Sequence, residues 1–245
     1  MKKFLFMAVF SLLSISSAMA QERRDISVDL AADHVDITTG FNGTTMSLFG
    51  TRRADGDIAV IVRGPEKTMY VRRKENIFGA WINKSSERFK GIPSYYNYAL
   101  SSPPEQFFSG KAGGNNGIAP ETIGISAEDK EDPARKEFHA ALIRNKQKQG
   151  LYMRDPGTVK FISPDFFRAD FYIPANVSVG EYEIETLYFS GGAVKDAVTR
   201  TIRVVQVGAA ADIHEFAYRY SFLYGLLSVM LAIFAGWFSN RIRRG

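Results

Sequence analysis

Residues Tyr220 to Phe238 run for 19 positions without a formal charge. As an α-helix at about 1.5 Å per residue, that stretch is roughly 30 Å long, the thickness of a bilayer hydrocarbon core. Arg219 precedes it, and Arg241, Arg243 and Arg244 follow it. Tyr220, Tyr224, Trp237 and Phe238 stand near its ends, where amphipathic rings favour the headgroup level. A helix buried in a soluble core seldom runs so far without charge, so the pattern predicts a transmembrane helix over 219–239. Whatever precedes it must fold while tied to a membrane at its C-terminal end.

Residues 1–20, MKKFLFMAVFSLLSISSAMA, open with two lysines, continue with a short apolar run and close on Ala18-Met19-Ala20. This is the pattern of a secretory signal peptide, with cleavage after Ala20. The short, lysine-led form points to a bacterial inner membrane and a periplasm. The formal net charge is +5. Lys2 and Lys3 account for two of these charges and Arg241, Arg243 and Arg244 for the other three, in end segments that hold no acid. The part between is neutral, so the basic character belongs to targeting and topology, and no nucleic-acid partner is expected. The arginines after the span, against Arg219 alone before it, place the tail 240–245 in the cytoplasm and residues 21–207 in the periplasm. The chain has no cysteine, which excludes a disulfide framework, a thiolate metal site and a lipoprotein signal.

About 190 residues remain between signal and span, enough for one large domain or two small ones. From Asp25 the chain alternates in period two: Ile26, Val28 and Leu30, then Val35 and Ile37. Phe41-Asn42-Gly43 is a turn, and Asp55-Gly56 is a hairpin signal. Ile58 to Val62 reads as a central strand, stopped by Gly64-Pro65, and Met69 to Arg73 as another. The rhythm breaks over about 75–157, read as a partly helical insertion. Within it Phe78–Ile82 and Tyr95–Leu100 read as strands, and 109–117 as a Gly/Asn loop. Asp132-Pro133 opens a helix that Gly150 closes. Strands return over Phe167–Ile173, Tyr182–Phe189 and Val198–Val207, with Gly191-Gly192 as a turn. Gly180-Glu181-Tyr182 matches the tyrosine corner of immunoglobulin-like sandwiches. The expected architecture is mainly β: an immunoglobulin-like β-sandwich over 21–207, a link over 208–218 and one C-terminal transmembrane helix. Two small β domains are the alternative.

Motifs for chemistry are sparse. His34, His139 and His214 stand far apart, outside any metal-ligand spacing, and no cofactor is expected. There is no G-x-S-x-G and no S-x-x-K, so serine catalysis has no local support and an enzyme is not expected. The cluster Arg63, Arg72, Arg73 and Lys74, followed by Trp81, is a candidate contact for an anion or an acidic partner. On a strand Arg72 and Lys74 share a face and Arg73 takes the other, and strand pairing would bring Arg63 alongside. An edge strand guarded by charge has the same appearance. The aromatics Trp81, Phe89, Tyr95, Tyr96, Tyr98, Phe107 and Phe108 read as the core of the insertion rather than as a recognition surface. In the span, Ser221, Gly225, Ser228, Ala232 and Gly236 recur at steps of three or four and form a small-residue seam suited to close helix contact.

Phe41-Asn42-Gly43, Val62-Arg63-Gly64-Pro65, Val71-Arg72-Arg73-Lys74, Gly79-Ala80-Trp81-Ile82-Asn83, Lys148-Gln149-Gly150-Leu151-Tyr152, Pro174-Ala175-Asn176-Val177 and Leu223-Tyr224-Gly225 together carry a resemblance. The mature chain is similar, from end to end, to a family of transmembrane proteins of alphaproteobacteria. The resemblance implies a secreted ectodomain with one C-terminal span, and it implies no activity. Among partners it ranks a multispan transporter first. The resulting expectation is a membrane-anchored periplasmic interaction module, an accessory subunit of an inner-membrane transporter or envelope complex. The alternative is a periplasmic domain that binds an anion or small ligand.

Overall fold

The apolar run Ile58–Val62 forms the middle of strand β4 (Asp57–Arg63), and all five side chains are fully buried. A strand without an exposed face must lie inside a sheet covered on both sides. A computed structural model, describing residues 24–108, 118–125, 132–208 and 216–242, puts it there. The other described strands are β1 (Ile26–Leu30), β2 (His34–Ile37), β3 (Thr44–Arg52), β5 (Glu66–Ile77), β6 (Ala80–Pro93), β7 (Tyr96–Leu100), β8 (Gly157–Thr158), β9 (Lys160–Phe161), β10 (Phe166–Ile173), β11 (Gly180–Ser190) and β12 (Ala193–Gln206). They make a six-stranded sheet in the order β2-β12-β11-β4-β7-β8, a four-stranded sheet β1-β3-β10-β9, and a separate ribbon β5-β6.

Strand β10 shows how the four-stranded sheet meets the core. Phe167, Ala169, Phe171 and Ile173 are buried, while Arg168, Asp170 and Tyr172 alternate with them outward. Leu48 of that sheet, Ile61 and Tyr182 of the other, and Phe89 of the ribbon belong to one continuous buried cluster. Burying each such large apolar side chain contributes about 1.5–3 kcal/mol relative to exposure. The aromatics Phe89, Tyr95, Tyr96, Tyr98 and Phe107 join this cluster rather than forming a core of their own. Early strands meet late ones, with β3 beside β10 and β4 beside β11. Tyr182 is fully buried at the entry to β11, and its hydroxyl donates to the Ser178 carbonyl at 2.7 Å. Burial pushes that hydroxyl's pKa up to about 12.

Two expectations change. Asp55-Gly56 is not a hairpin turn, because β3 and β4 lie in different sheets and the link crosses between them. The crossing is held by the Tyr188 hydroxyl, which donates to the carbonyls of Ala54 and Asp55. A Cβ at Gly56 would sit 2.3 Å from the Phe189 carbonyl oxygen, so the link needs glycine for close approach rather than for a tight turn. Phe78 and Gly79 are likewise not strand but the two-residue tip between β5 and β6, both at positive φ.

Helices are few among the described residues: α1 (Pro104–Phe108), a 3-10 turn Pro120–Thr122, α2 (Pro133–Lys148) and α3 (Ser221–Ile242). The α2 start is capped as its sequence indicates, with the Asp132 carboxylate accepting from the Ala134 amide at 2.9 Å. Gly150, at φ +69°, stands just past the helix end. The buried stripe of α2 is Phe138, His139, Leu142 and Ile143, and the His139 ring meets the Ile123 carbonyl at 2.6 Å. Helix α3 is long and apolar enough to cross a membrane, and none of its membrane-length window is buried by the rest of the chain. The signal segment 1–20, the loop 109–117, His214, Arg243 and Arg244 lie outside the described residues.

Candidate functional site: a braced β-arm

The most distinctive surface is the ribbon β5-β6. It is an in-line continuation of the pairing of β4 with β7. Arg63 stands opposite Tyr96, and three residues further along each strand Glu66 stands opposite Pro93. The ladder carries on across the junction: the Gly64 amide donates to the Tyr95 carbonyl and the Ser94 amide to the Pro65 carbonyl, both at 2.9 Å. Two strands of the six-stranded sheet therefore run on past its end as an arm. The 12 residues of β5 extend for about 40 Å at 3.3 Å per residue.

An isolated two-stranded ribbon is at best marginally stable in water. Helix α2 braces this one. Val71 and Phe89 are buried on the inner face. The Arg73 guanidinium reaches Glu137 at 2.5 Å and lies 5.2 Å from the Phe138 ring centre. From the helix, Arg135 reaches back to Glu87 at 3.1 Å and lies 5.1 Å from the Phe89 ring centre. Each cation–ring contact contributes about 0.5–1 kcal/mol at such half-exposed places.

The strand period then decides the outer face. Tyr70, Arg72 and Lys74 point away from α2 along β5, and Arg88, opposite Tyr70, joins them from β6. All four are exposed, and Lys90 is exposed beyond them. Glu75 and Glu87 fall on the inner face with Val71 and Arg73, and Glu66, which has the parity of the outer face, stands at the arm root, so the outer face is basic from Tyr70 to the tip. Among the described residues no ion pair to Arg72, Lys74, Arg88 or Lys90 forms. At the tip Phe78 is wholly exposed, and Ile82 nearby is 45% exposed.

The predicted cluster is thus divided. Arg72 and Lys74 do share a face, with Arg73 on the other. Arg63 is not beside them, because β5 continues β4 in line instead of pairing with it. It lies at the arm root, where its guanidinium donates to Glu185 at 2.6 Å. The shallow groove there, about 270 Å³, is also lined by Glu66, Glu181 and Glu183, so it is no home for an anion. Trp81 stands opposite Asn76 on the ladder, and its side chain lies outside the described residues. Sequence reasoning missed Tyr70, Arg88 and Phe78. The Phe78-Gly79 pair before an alternating segment was the available sign of a tip.

The seam residues Ser221, Gly225, Ser228, Ala232 and Gly236 all lie on the one continuous helix α3, so their spacing puts them on a common face. Ser228 donates to the Tyr224 carbonyl at 2.8 Å, and a Cβ at Gly225 or Gly236 would meet nothing within 4 Å.

Comparison with known families bears on this pairing of a β-rich domain with one apolar helix. Residues 25–244 match the family described as "Putative transmembrane protein (Alph_Pro_TM)". The chain belongs to this family. No curated protein matches it. The Alph_Pro_TM match covers both the β-arm and α3, so arm and span belong to one family unit.

Proposed function

We propose that this chain is a membrane-anchored interaction module, an accessory subunit of a multispan transporter or another envelope complex. In this reading residues 1–20 are removed on export. The β domain stands in the periplasm as an immunoglobulin-like sandwich, and α3 crosses the bacterial inner membrane. The two sheets about one core and the Tyr182 corner support the sandwich reading. The observation that carries the function is the arm: a ribbon extended far beyond its sheet, braced on one face by α2 and left charged and open on the other. The ribbon's share of the core is Val71, Phe89 and Ile92, toward its root, so its length beyond them supports a role in contact rather than in stability. We read the chain as a non-enzymatic protein.

The test is crosslinking in native membranes from a photoreactive residue at Tyr70, followed by gentle detergent extraction and identification of what is attached. The expected outcome is one defined membrane component. Crosslinks scattered at random, or none, would sink the reading. The helix seam is tested beside it. Gly225→Leu with Ala232→Leu keeps the span apolar but blocks close helix approach. The double variant is expected to insert normally and to lose its co-purifying membrane protein.

A further inference from the structure

The arm and the membrane anchor leave the domain through the same end. Strand β11 is antiparallel to both β4 and β12, so β4 and β12 run in the same direction. Glu183 fixes the level, opposite Arg63 on one side and Thr201 on the other. From that level β12 continues to Gln206 and on toward α3, while β4 continues through Gly64-Pro65 into the arm. The root is fastened beside the exit, since Gly180, opposite Val204, would place a Cβ 3.0 Å from the Pro65 ring, and the Lys67 amine donates to Ser178 at 2.7 Å.

The lengths agree with that direction. From Gln206 to the helical turn at 216 there are ten residue steps, at most about 35 Å of chain by covalent geometry alone. From the level of Arg63 to the tip the arm has 14 residues, about 45 Å. From that same level the five residues of β12 up to Gln206 add about 17 Å, so the extended chain to 216 reaches at most about 50 Å against about 45 Å for the arm, and the tip can reach the bilayer surface.

What the tip presents fits that surface. Phe78 sits at φ +52°, a backbone region that costs a bulky L-residue about 1–2 kcal/mol, where hairpins ordinarily use Asn before Gly. The conformation leaves its ring wholly exposed. Behind it the outer face carries Arg72, Lys74, Arg88 and Lys90 with Tyr70 among them, and from Tyr70 to the tip it holds no carboxylate; Glu66, of the same parity, stands back at the arm root. An apolar tip followed by cations and a tyrosine matches, in order of depth, acyl boundary, phosphate and interface.

We propose that the arm docks on the anionic lipid surface of the membrane that holds α3, with Phe78 entering the interface and Arg72, Lys74 and Arg88 on lipid phosphates. This rests on the reading of the arm as a contact surface and adds lipid as what its tip and basic residues meet, beside the membrane protein expected to crosslink from Tyr70. Docking would make the anchor two-point, by span and by arm, and would fix the domain's orientation above the bilayer.

The absence of cysteine allows single-site labelling of the full chain. Phe78→Cys and, with the phenylalanine retained, Ile82→Cys carry an environment-sensitive fluorophore, and Ala193→Cys at the far end of the sheet serves as reference. Each protein is reconstituted into vesicles of phosphatidylcholine with or without phosphatidylglycerol, containing nitroxide-labelled lipid as quencher. Expected are quenching at 78 and 82 in phosphatidylglycerol vesicles, none at 193, and weakening with added salt. Each basic residue near an anionic surface favours contact by about fivefold. Arg72→Glu, Lys74→Glu and Arg88→Glu together should therefore lower the contact population more than tenfold. If that variant fails to fold, the salt dependence of the labels at 78 and 82 decides alone. Equal quenching in the two lipids, or none at 78 and 82, overturns the proposal. An unquenched tip that still crosslinks to one protein in native membranes overturns lipid docking and leaves the contact-module reading standing. A charge-reversed arm that alters neither quenching nor crosslinks overturns both.

Discussion

At the scale of single residues, the junction between sheet and arm depends on the missing side chain of Gly64. A Cβ there would lie 2.7 Å from the Ser94 hydroxyl, 3.0 Å from the Tyr182 ring and 3.0 Å from the Tyr95 Cβ. Tyr95 and Tyr182 are both fully buried, with ring centres 5.9 Å apart, and neither can yield far. Gly64→Ala is expected to cost about 1–3 kcal/mol, the range for overpacking a tight core, read as a lower midpoint in a urea melt. A second residue-level prediction concerns pH. His34 meets Asp33 at 2.6 Å and Asp36 at 3.7 Å, and these partners, Asp33 first, raise its pKa. The pairing stabilises the fold fully below the unfolded value of about 6.5 and fades as pH rises through the higher folded value. An NMR titration should find a His34 midpoint above its ordinary value, and Asp33→Asn should bring it down. The destabilisation by Asp33→Asn should be larger near about pH 5.5 than near about pH 8.5.

At the scale of elements, the arm separates stability from contact. Phe78-Gly79 forms a two-residue tip with both residues at positive φ, which Asn-Gly would adopt more readily. Phe78→Asn is expected to relieve about 1 kcal/mol of local strain, seen as slower amide exchange at Ala80. The same change should weaken lipid contact at the tip. A tip kept aromatic only for packing would lose stability instead, and its exposure argues against that. Helix α2 shows the complementary case. Its capping residues set where it starts and stops, but it does its work through Arg135 and Phe138, which hold the ribbon's inner face. Arg73, a candidate for partner contact by sequence, is occupied in that brace.

At the scale of the whole molecule, a β domain is joined to one apolar helix, and family membership covers both. The orientation we propose puts the arm and the start of α3 on one side of the bilayer and the arginine-containing tail on the other. A green fluorescent protein fused after Gly245 should therefore fluoresce, and alkaline phosphatase fused there should stay inactive. The reverse pattern would place the β domain in the cytoplasm. It would leave lipid docking possible but remove the periplasmic reading.

What the amino-acid order determined by itself was local. The length of the span follows from consecutive uncharged residues, and the ends of α2 follow from Asp132, Pro133 and Gly150, whose effects act within one helical turn. Most strands were legible from alternation, as was the division of Arg72 and Lys74 from Arg73, because side-chain direction repeats every two residues. Tertiary structure alone decided which strands meet. Asp55-Gly56 looks like a hairpin turn in isolation but carries the chain between sheets, since the buried faces of β3 and β4 belong to opposite layers of one core. Arg63 has its partner 122 residues away in Glu185. The outer face of the arm needs Arg88 set opposite Tyr70, and its aim needs β12 to run parallel with β4. Periodicity tells a residue which way to point, but register and layer are settled by distant apolar partners competing for one core.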